Sequence, residues 1–361
     1  MHALTILAVL LQAPAPGTPV VEIRSEVLCR SCRFVRDTVV ILESDYSVIP
    51  KSVTIVGRDV FVTPDAGSDL AVRRFDLLTG RYRGELSRAG SGPGELRSPA
   101  FLSRLPGDSL FVYDRGQERF SIYAPRTYSY VRGAAVRVSR SNAAIYHPIT
   151  QQIWIAAPIG SADQVGYPVH LFASDGRWIR STGPNQPLLR RNDYMAFVRR
   201  LAVDSSGGVW SVTRYGTIAI EHYDRSGAVV RRFSYAPEWS PPLERLLPQQ
   251  AGEPPFPERP PFAVENRNRI WIATLVPARD WQRGMALIDD PTHGTGAPLI
   301  DDVAKIFDSV IEVIDVERRA VEARVRIDNV VVALLPGGLT VLYRQTDSGE
   351  PRLWIERWRV R

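Results

Sequence analysis

The stretch PGDSLFVYDRGQERFSIYAP, Pro106–Pro125, opens on a polar turn and continues as two alternating apolar runs parted by a second polar turn at 115–118. Alternation of apolar and polar residues with period two marks a strand with one buried face, and Gly, Asp and Asn give the backbone freedom a tight reversal needs. The stretch reads as strands joined by tight turns. The same phrase recurs as VGRDVFVTP from Val56, ITQQIWIAA from Ile149, DSSGGVWSVT from Asp204, ENRNRIWIAT from Glu265 and LPGGLTVLY from Leu335. An aromatic residue holds the same place at Phe61, Phe111, Trp154, Trp210 and Trp271.

A second phrase follows each of these, as in VRRFDLLTGRYRGEL, VHLFASDGRWIRST and IEHYDRSGAVVRRF: a strand, a glycine turn and an outgoing strand. That makes four strands per unit. The repeat spacing runs from 43 residues (Phe111 to Trp154) to 69 (Trp271 to Thr340), the length of a four-stranded propeller blade with loops of unequal size. The expected fold is all-β: a six-bladed β-propeller of four-stranded antiparallel blades, one domain over 18–361 with its blades starting at about residue 51. The sixth unit stops after its third strand at Arg361, whereas CRFVRDTVVILES, Cys32–Ser44, is a strand with no partner ahead of unit one. It is expected to complete the last blade, closing the ring and removing two exposed sheet edges.

The glycine-rich segment RAGSGPGELRSPAF, Arg88–Phe101, falls between the fourth strand of unit one and the first of unit two. A phosphate cradle would need a strand before it, a helix after it, and Gly-Lys-Ser/Thr or a downstream acid. Here β-like sequence follows and no lysine is present, so the segment is read as a sharp blade-to-blade crossing.

Hydrophobic residues make up 44% and charged residues 23% of the 361, which allows a packed core. Of the 45 basic residues only Lys51 and Lys305 are lysines, and the arginines are scattered instead of collected on one face. Nucleic acid is therefore not an expected partner. The start, MHALTILAVLLQAPAPG, has an apolar run from Ala3 to Leu11 and an A-x-A site at Ala13–Ala15, the layout of a secretory signal over 1–17. No run approaches the roughly 20 apolar residues that span a bilayer. A periplasmic or secreted monomer without a membrane span is expected. The only cysteines, Cys29 and Cys32 in CRSC, sit between strand-like segments. Export favours an oxidised structural pair, and inert or redox-active thiols are the other readings.

The phrases GSGPGELRSPA with GDSLFVYDRGQERFSIYAP, and LAVDSSGGVWSV with IEHYDRSGAVVRRF, resemble six-bladed propellers related to the NHL-repeat proteins. The likeness runs from about Val53 to the C-terminus, and the early CRSC is similar to bacterial exported members. The resemblance implies the fold and carries no function, since this fold hosts binding modules, lyases and hydrolases.

If the first strand of each unit runs down the axis, the crossings and the loops between second and third strands share one face. That face would carry Arg97, Arg115, Gln117, Glu118, Tyr194, Arg199, Tyr215, Arg279, Trp281 and Arg344. Guanidinium groups and rings about an axial funnel suit a small anionic or sugar-like ligand, or an envelope protein partner. The leading expectation is a binding module with no cofactor. The alternative is a metal-assisted hydrolase or lyase, similar to gluconolactonase-like propellers, holding a divalent metal on the axis. His147 is the one histidine placed near the axis; His170 and His222 fall in third strands and read as packing residues. Asp289, Asp290 and His293 lie in a long insertion, Asp280–Ser309, without calcium-loop spacing. A proline-dense segment, 236–262, links units four and five. No catalytic residue is assigned.

Overall fold

The computed structural model describes residues 18–29, 31–43, 50–63, 71–138, 140–159, 164–185, 198–239, 254–257, 262–266, 268–290, 294–300, 303–346 and 348–361, with backbone alone at 285–290 and 294–300. The signal expected at 1–17 and most of the proline-dense segment lie outside the described residues. Strands β1 (Val20–Val27) and β2 (Phe34–Ile41) come first. Unit one is β3 (Val53–Val56), β4 (Asp59–Val62), β5 (Arg73–Asp76) and β6 (Tyr82–Glu85). Unit two is β7 (Pro99–Arg104), β8 (Leu110–Asp114), β9 (Arg119–Tyr123) and β10 (Tyr130–Ala135). Unit three is β11 (Ala143–His147), β12 (Gln152–Ala156), β13 (Val169–Phe172) and β14 (Trp178–Thr182). Unit four is β15 (Arg199–Val203), β16 (Val209–Thr213), β17 (Ile218–Tyr223) and β18 (Val229–Tyr235). Unit five is β19 (Phe262–Asn266) and β20 (Arg269–Pro277), then a separate hairpin β21 (Met285–Asp290) and β22 (Gly294–Ile300), then β23 (Phe307–Asp315) and β24 (Ala320–Ile327). Unit six is β25 (Val330–Leu335), β26 (Leu339–Gln345) and β27 (Pro351–Val360).

The molecule is an all-β propeller. Units one, two and three are four-stranded blades, and β2 pairs antiparallel with β27 to make a fourth, so the N-terminal segment completes unit six. The expectation of separate four-stranded sheets needs correction at units four and five. There β1 inserts in parallel between β18 and β24, pairing Ile23 with Tyr235 and Arg24 with Ala320, and fuses both units into one nine-stranded mixed sheet. The physical cause is the open outer edge of a blade, whose unpaired N–H and C=O groups accept an extended segment.

Buried side chains gather between neighbouring units. Phe61, Leu102 and Tyr123 lie between units one and two, Phe111, Tyr146 and Phe172 between two and three, and Trp154, Leu201 and Tyr223 between three and four. Trp210, Ile220, Ile272 and Ile314 lie between four and five, joined by Ile23 of β1. Trp271, Val331 and Trp358 lie between five and six; Phe75, Val341 and Ile355 lie between six and one. The first strands touch in a cycle, β3 to β7, β11, β15, β19, β25 and back to β3. The recurring aromatic thus belongs to the sheet-on-sheet core, which explains its period. The crossing at Arg88–Phe101 turns at Gly94, where φ is 76° and an added Cβ would stand 2.7 Å from that of Tyr130.

Candidate functional site

The cycle of first strands encloses an axial channel of about 470 Å³. Each first strand is the inner edge of its sheet, so consecutive residues such as Val53–Ile55, Ala143–Tyr146 and Leu201–Val203 line it along their backbone. The side chains are mostly small or apolar. Lys51 and Arg200 stand at the crossing-side mouth, where Arg200 Nη1 donates to the Asn142 carbonyl at 2.7 Å. Among the described residues the lining holds no carboxylate, carboxamide or imidazole. His147 is fully buried away from it: Nε2 is 2.8 Å from the Gly207 carbonyl, and Nδ1 accepts from Thr150 N–H at 3.2 Å. Among the described residues no three His, Cys, Asp or Glu side chains gather as a metal site. His293 lies outside the described residues.

The residues expected on the loop-bearing face separate into groups. Arg97, Arg115, Gln117 and Glu118 come together in unit two around Asp114, a carboxylate with no solvent exposure. It accepts from the backbone N–H groups of Arg97 (2.6 Å), Ser98 (3.1 Å) and Gln117 (3.1 Å). The Gln117 amide donates to Asp114 and to the carbonyls of Gly90 and Glu95 (3.1 and 3.0 Å), tying the glycine-rich crossing to this turn. The Arg97 side chain is exposed and Arg115 half-buried. Arg199 is buried, its Nη1 2.8 Å from Glu221 Oε2, and belongs to the interior of unit four. Arg344 is drawn inward too, 2.8 Å from buried Glu356 and 3.6 Å over the Trp354 ring. Trp281 packs half-buried on the cluster holding Ile306, and Tyr215 lies under the Arg214 guanidinium at 5.3 Å. Arg279 is exposed at the rim between units five and six. Tyr194 lies outside the described residues.

Three buried acids escaped the sequence reading: Glu221, Glu312 and Glu356, in the third strands of units four, five and six. Each directly follows an isoleucine, in AIEHYD, VIEVID and WIERWR, and that recurrence was the available signal. Each is matched by a guanidinium, from Arg199, Arg324 and Arg344. Tyr223 donates to Glu221 and Tyr235 to Glu312; burial first, then the neighbouring carboxylate, holds both phenols well above their ordinary value. Burial, the largest single influence, acts to lower the Arg324 guanidinium, but the charges of Glu312 and Tyr235 and the hydrogen bonds to both together leave the group raised. In unit four Asp204 ties its own turn: Oδ1 accepts from Ser206 and Gly208, and Oδ2 accepts from Trp210 Nε1 at 3.1 Å. His222 Nε2 lies 3.0 Å from Oδ2, its ring stacked on Trp210 at 4.2 Å. These networks join strands within and between units, and among the described residues no acid–base pair lines the channel.

Cys29 and Cys32 form a disulfide in the turn between β1 and β2. It sits where the chain leaves the edge of unit five for the edge of unit six, with Cys29 N–H donating to the Glu322 carbonyl and Arg33 N–H to that of Arg361.

No protein-family model and no curated protein sequence matches the chain. Solved structures do. A Bacteroides fragilis protein described as exported is similar over 94% of this chain and 100% of its own, at 9% identity and a TM-score of 0.57. A member of the DUF4221 family from Bacteroides vulgatus is similar over 91% and 98%, at 9% identity and a TM-score of 0.57. Virginiamycin B lyase from Staphylococcus aureus aligns over 91% and 99% at 8% identity and a TM-score of 0.47. At such identities the first two likenesses speak to the fold alone. No helix of the described residues is long and apolar enough to cross a membrane.

Proposed function

We propose that the chain is an exported binding module, a six-bladed propeller related to the NHL-repeat group. It would act in the periplasm or outside the cell as a monomer, holding a partner on its loop-bearing face. The carrying observation is the donor set that the described residues give the channel: apolar, hydroxyl and cationic side chains with sheet-edge amides, and among them no carboxylate, carboxamide or imidazole. A divalent metal that assists hydrolysis or elimination draws on carboxylate, amide or imidazole ligands, and the described residues of the channel offer none of these side chains. The Cys29–Cys32 disulfide suits an oxidising compartment, in keeping with the apolar run ahead of it. Exposed Arg97 and half-buried Arg115, with Lys51 and Arg200 at the mouth, favour an anionic group on an envelope protein or a small sugar-like ligand.

The test is thermal unfolding of the mature protein, stripped with chelator and then supplied with calcium, zinc or magnesium. A specific ion at a hundredfold excess over its Kd would stabilise the fold by about 2.7 kcal/mol. No rise in midpoint is expected with any of the three. A rise of several degrees with one ion overturns this reading and points to a metal-assisted hydrolase or lyase.

A further inference from the structure

We propose that the rim groove between units five and six docks an extended acidic segment of a partner protein, added as a strand along the free edge of β24. This site is remote from the channel and stands independently of the reading above.

The first support is an incomplete pairing. β1 meets β24 only at its beginning, through Arg24 with Ala320 and Val27 with Val321, and the N–H groups of Leu28 and Cys29 then reach the carbonyls of Val321 and Glu322. From Ala323 to Ile327 the strand keeps β23 on one side and, among the described residues, no strand on the other. That free edge faces a groove of about 820 Å³ whose far wall is the start of β2. The consecutive run Arg324–Asp328 lines the groove, as expected when a strand edge forms its wall.

The second support is charge. Arg33, Arg36, Arg279, Arg324 and Arg326 line the groove against Asp280, Asp308 and Asp328. Those three carboxylates already have partners: Asp308 pairs with Arg326 at 2.7 Å, Asp280 with Arg283 at 3.2 Å, and Asp328 accepts from Asn329 at 3.0 Å. The Arg324 guanidinium is engaged by Glu312, Tyr235 and the Ser25 carbonyl beneath β1, so this residue gives the groove its backbone and not its charge. Arg33, Arg36 and Arg279 are exposed and form no ion pair among the described residues. A guanidinium binds a carboxylate through two parallel N–H groups, so the groove favours Asp and Glu side chains.

The third support is a precedent in the same molecule. The adjoining groove between units four and five holds β1, an extended segment running parallel to the outer strands on both sides. The fold therefore accepts a strand in such a place. Main-chain hydrogen bonds to β24 would supply affinity, and alternate carboxylates meeting the arginines would supply selectivity.

The probe is a short fluorescein-labelled peptide of alternating Glu and Val, titrated into the mature protein. Saturable binding that weakens steeply with salt is expected. The double variant R33E/R279E should lose about tenfold or more in affinity while keeping its circular dichroism and unfolding midpoint. If that variant misfolds, R36Q takes its place. A peptide N-methylated at every second amide tests the strand pairing without altering the protein, and it should also bind about tenfold more weakly. Absent binding overturns the proposal. Equal affinity of the methylated peptide overturns it in favour of plain electrostatic adhesion, and citrate competing as well as the peptide reduces the groove to a small-anion site.

Discussion

The grooves on either side of unit five are built alike and end differently. Between units four and five, β1 fills the wedge: Ile23 is 2% exposed against Trp210 and Phe233. Beneath β1, Arg324 links Glu312, Tyr235 and the Ser25 carbonyl. Between units five and six the wedge is open and carries arginines. An outer blade edge is an adhesive surface, and the protein deals with it in two ways: covering it with its own chain, or charging it so that only a complementary strand is welcome. The filled groove is part of the core.

The largest effect should come from putting a charge into the filled groove. Ile23→Asp buries an unpaired carboxylate, and Arg324→Met leaves Glu312 buried without its cation; each should cost about 3–5 kcal/mol in denaturant unfolding. A loss below ~1 kcal/mol for Ile23→Asp would mean that β1 does not seal the wedge and would collapse the contrast between the grooves.

Acid gives a reference from unit three, which borders neither groove. Burial, against opposing backbone hydrogen bonds, holds the His170 imidazole down at about 4, below its ordinary 6.5. Its Nδ1 is 2.7 Å from Ser181 Oγ and its Nε2 2.9 Å from the Ala157 carbonyl. Between those two values the unfolded chain takes up a proton that the folded chain refuses. Stability is therefore complete above pH 6.5 and falls as pH drops toward 4, by on the order of 3 kcal/mol. Denaturant titrations across that window should show the slope in the native protein and in R33E/R279E alike, and a flatter profile in His170→Gln.

Cutting the link between the two grooves ranks next. Cys29→Ser opens a loop of few residues, so the chain-entropy cost is about 2 kcal/mol. Equal unfolding midpoints with and without reductant would show that pairing of β1 and β2 holds the strap without the disulfide. The smallest effect belongs to the open groove: Arg33→Glu and Arg279→Glu should each shift stability by no more than about 0.5 kcal/mol. A larger loss would make these arginines structural and weaken their case as binding groups.

Much of this architecture was legible because it is local. Period-two alternation in LFVYD and the reversal at Arg115–Glu118 depend on adjacent residues, and the closing strand followed from counting an unmatched third strand at Arg361 against a spare strand within Cys32–Ser44, which the structure forms over Phe34–Ile41. The candidate face was less legible. Arg97 and Arg279 stand exposed, whereas Arg199 and Arg344 turn inward to Glu221 and Glu356. Their places along the strands were legible, but the side chains followed acids whose burial only the assembled sheets created.

The amino-acid sequence by itself determined a ring of repeated four-stranded units, the strand that completes the last one, and the cysteine pair ahead of it. Those properties reside in turn chemistry, alternation and count. Only the tertiary structure decided that β1 lies between Arg232–Tyr235 and Ala320–Val321, that the channel is walled by sheet-edge backbone, and that an arginine-lined groove stays open beside it. The reason is physical: an outer edge becomes a binding surface only after the ring has closed, and which segment covers it depends on contacts between residues far apart in the chain.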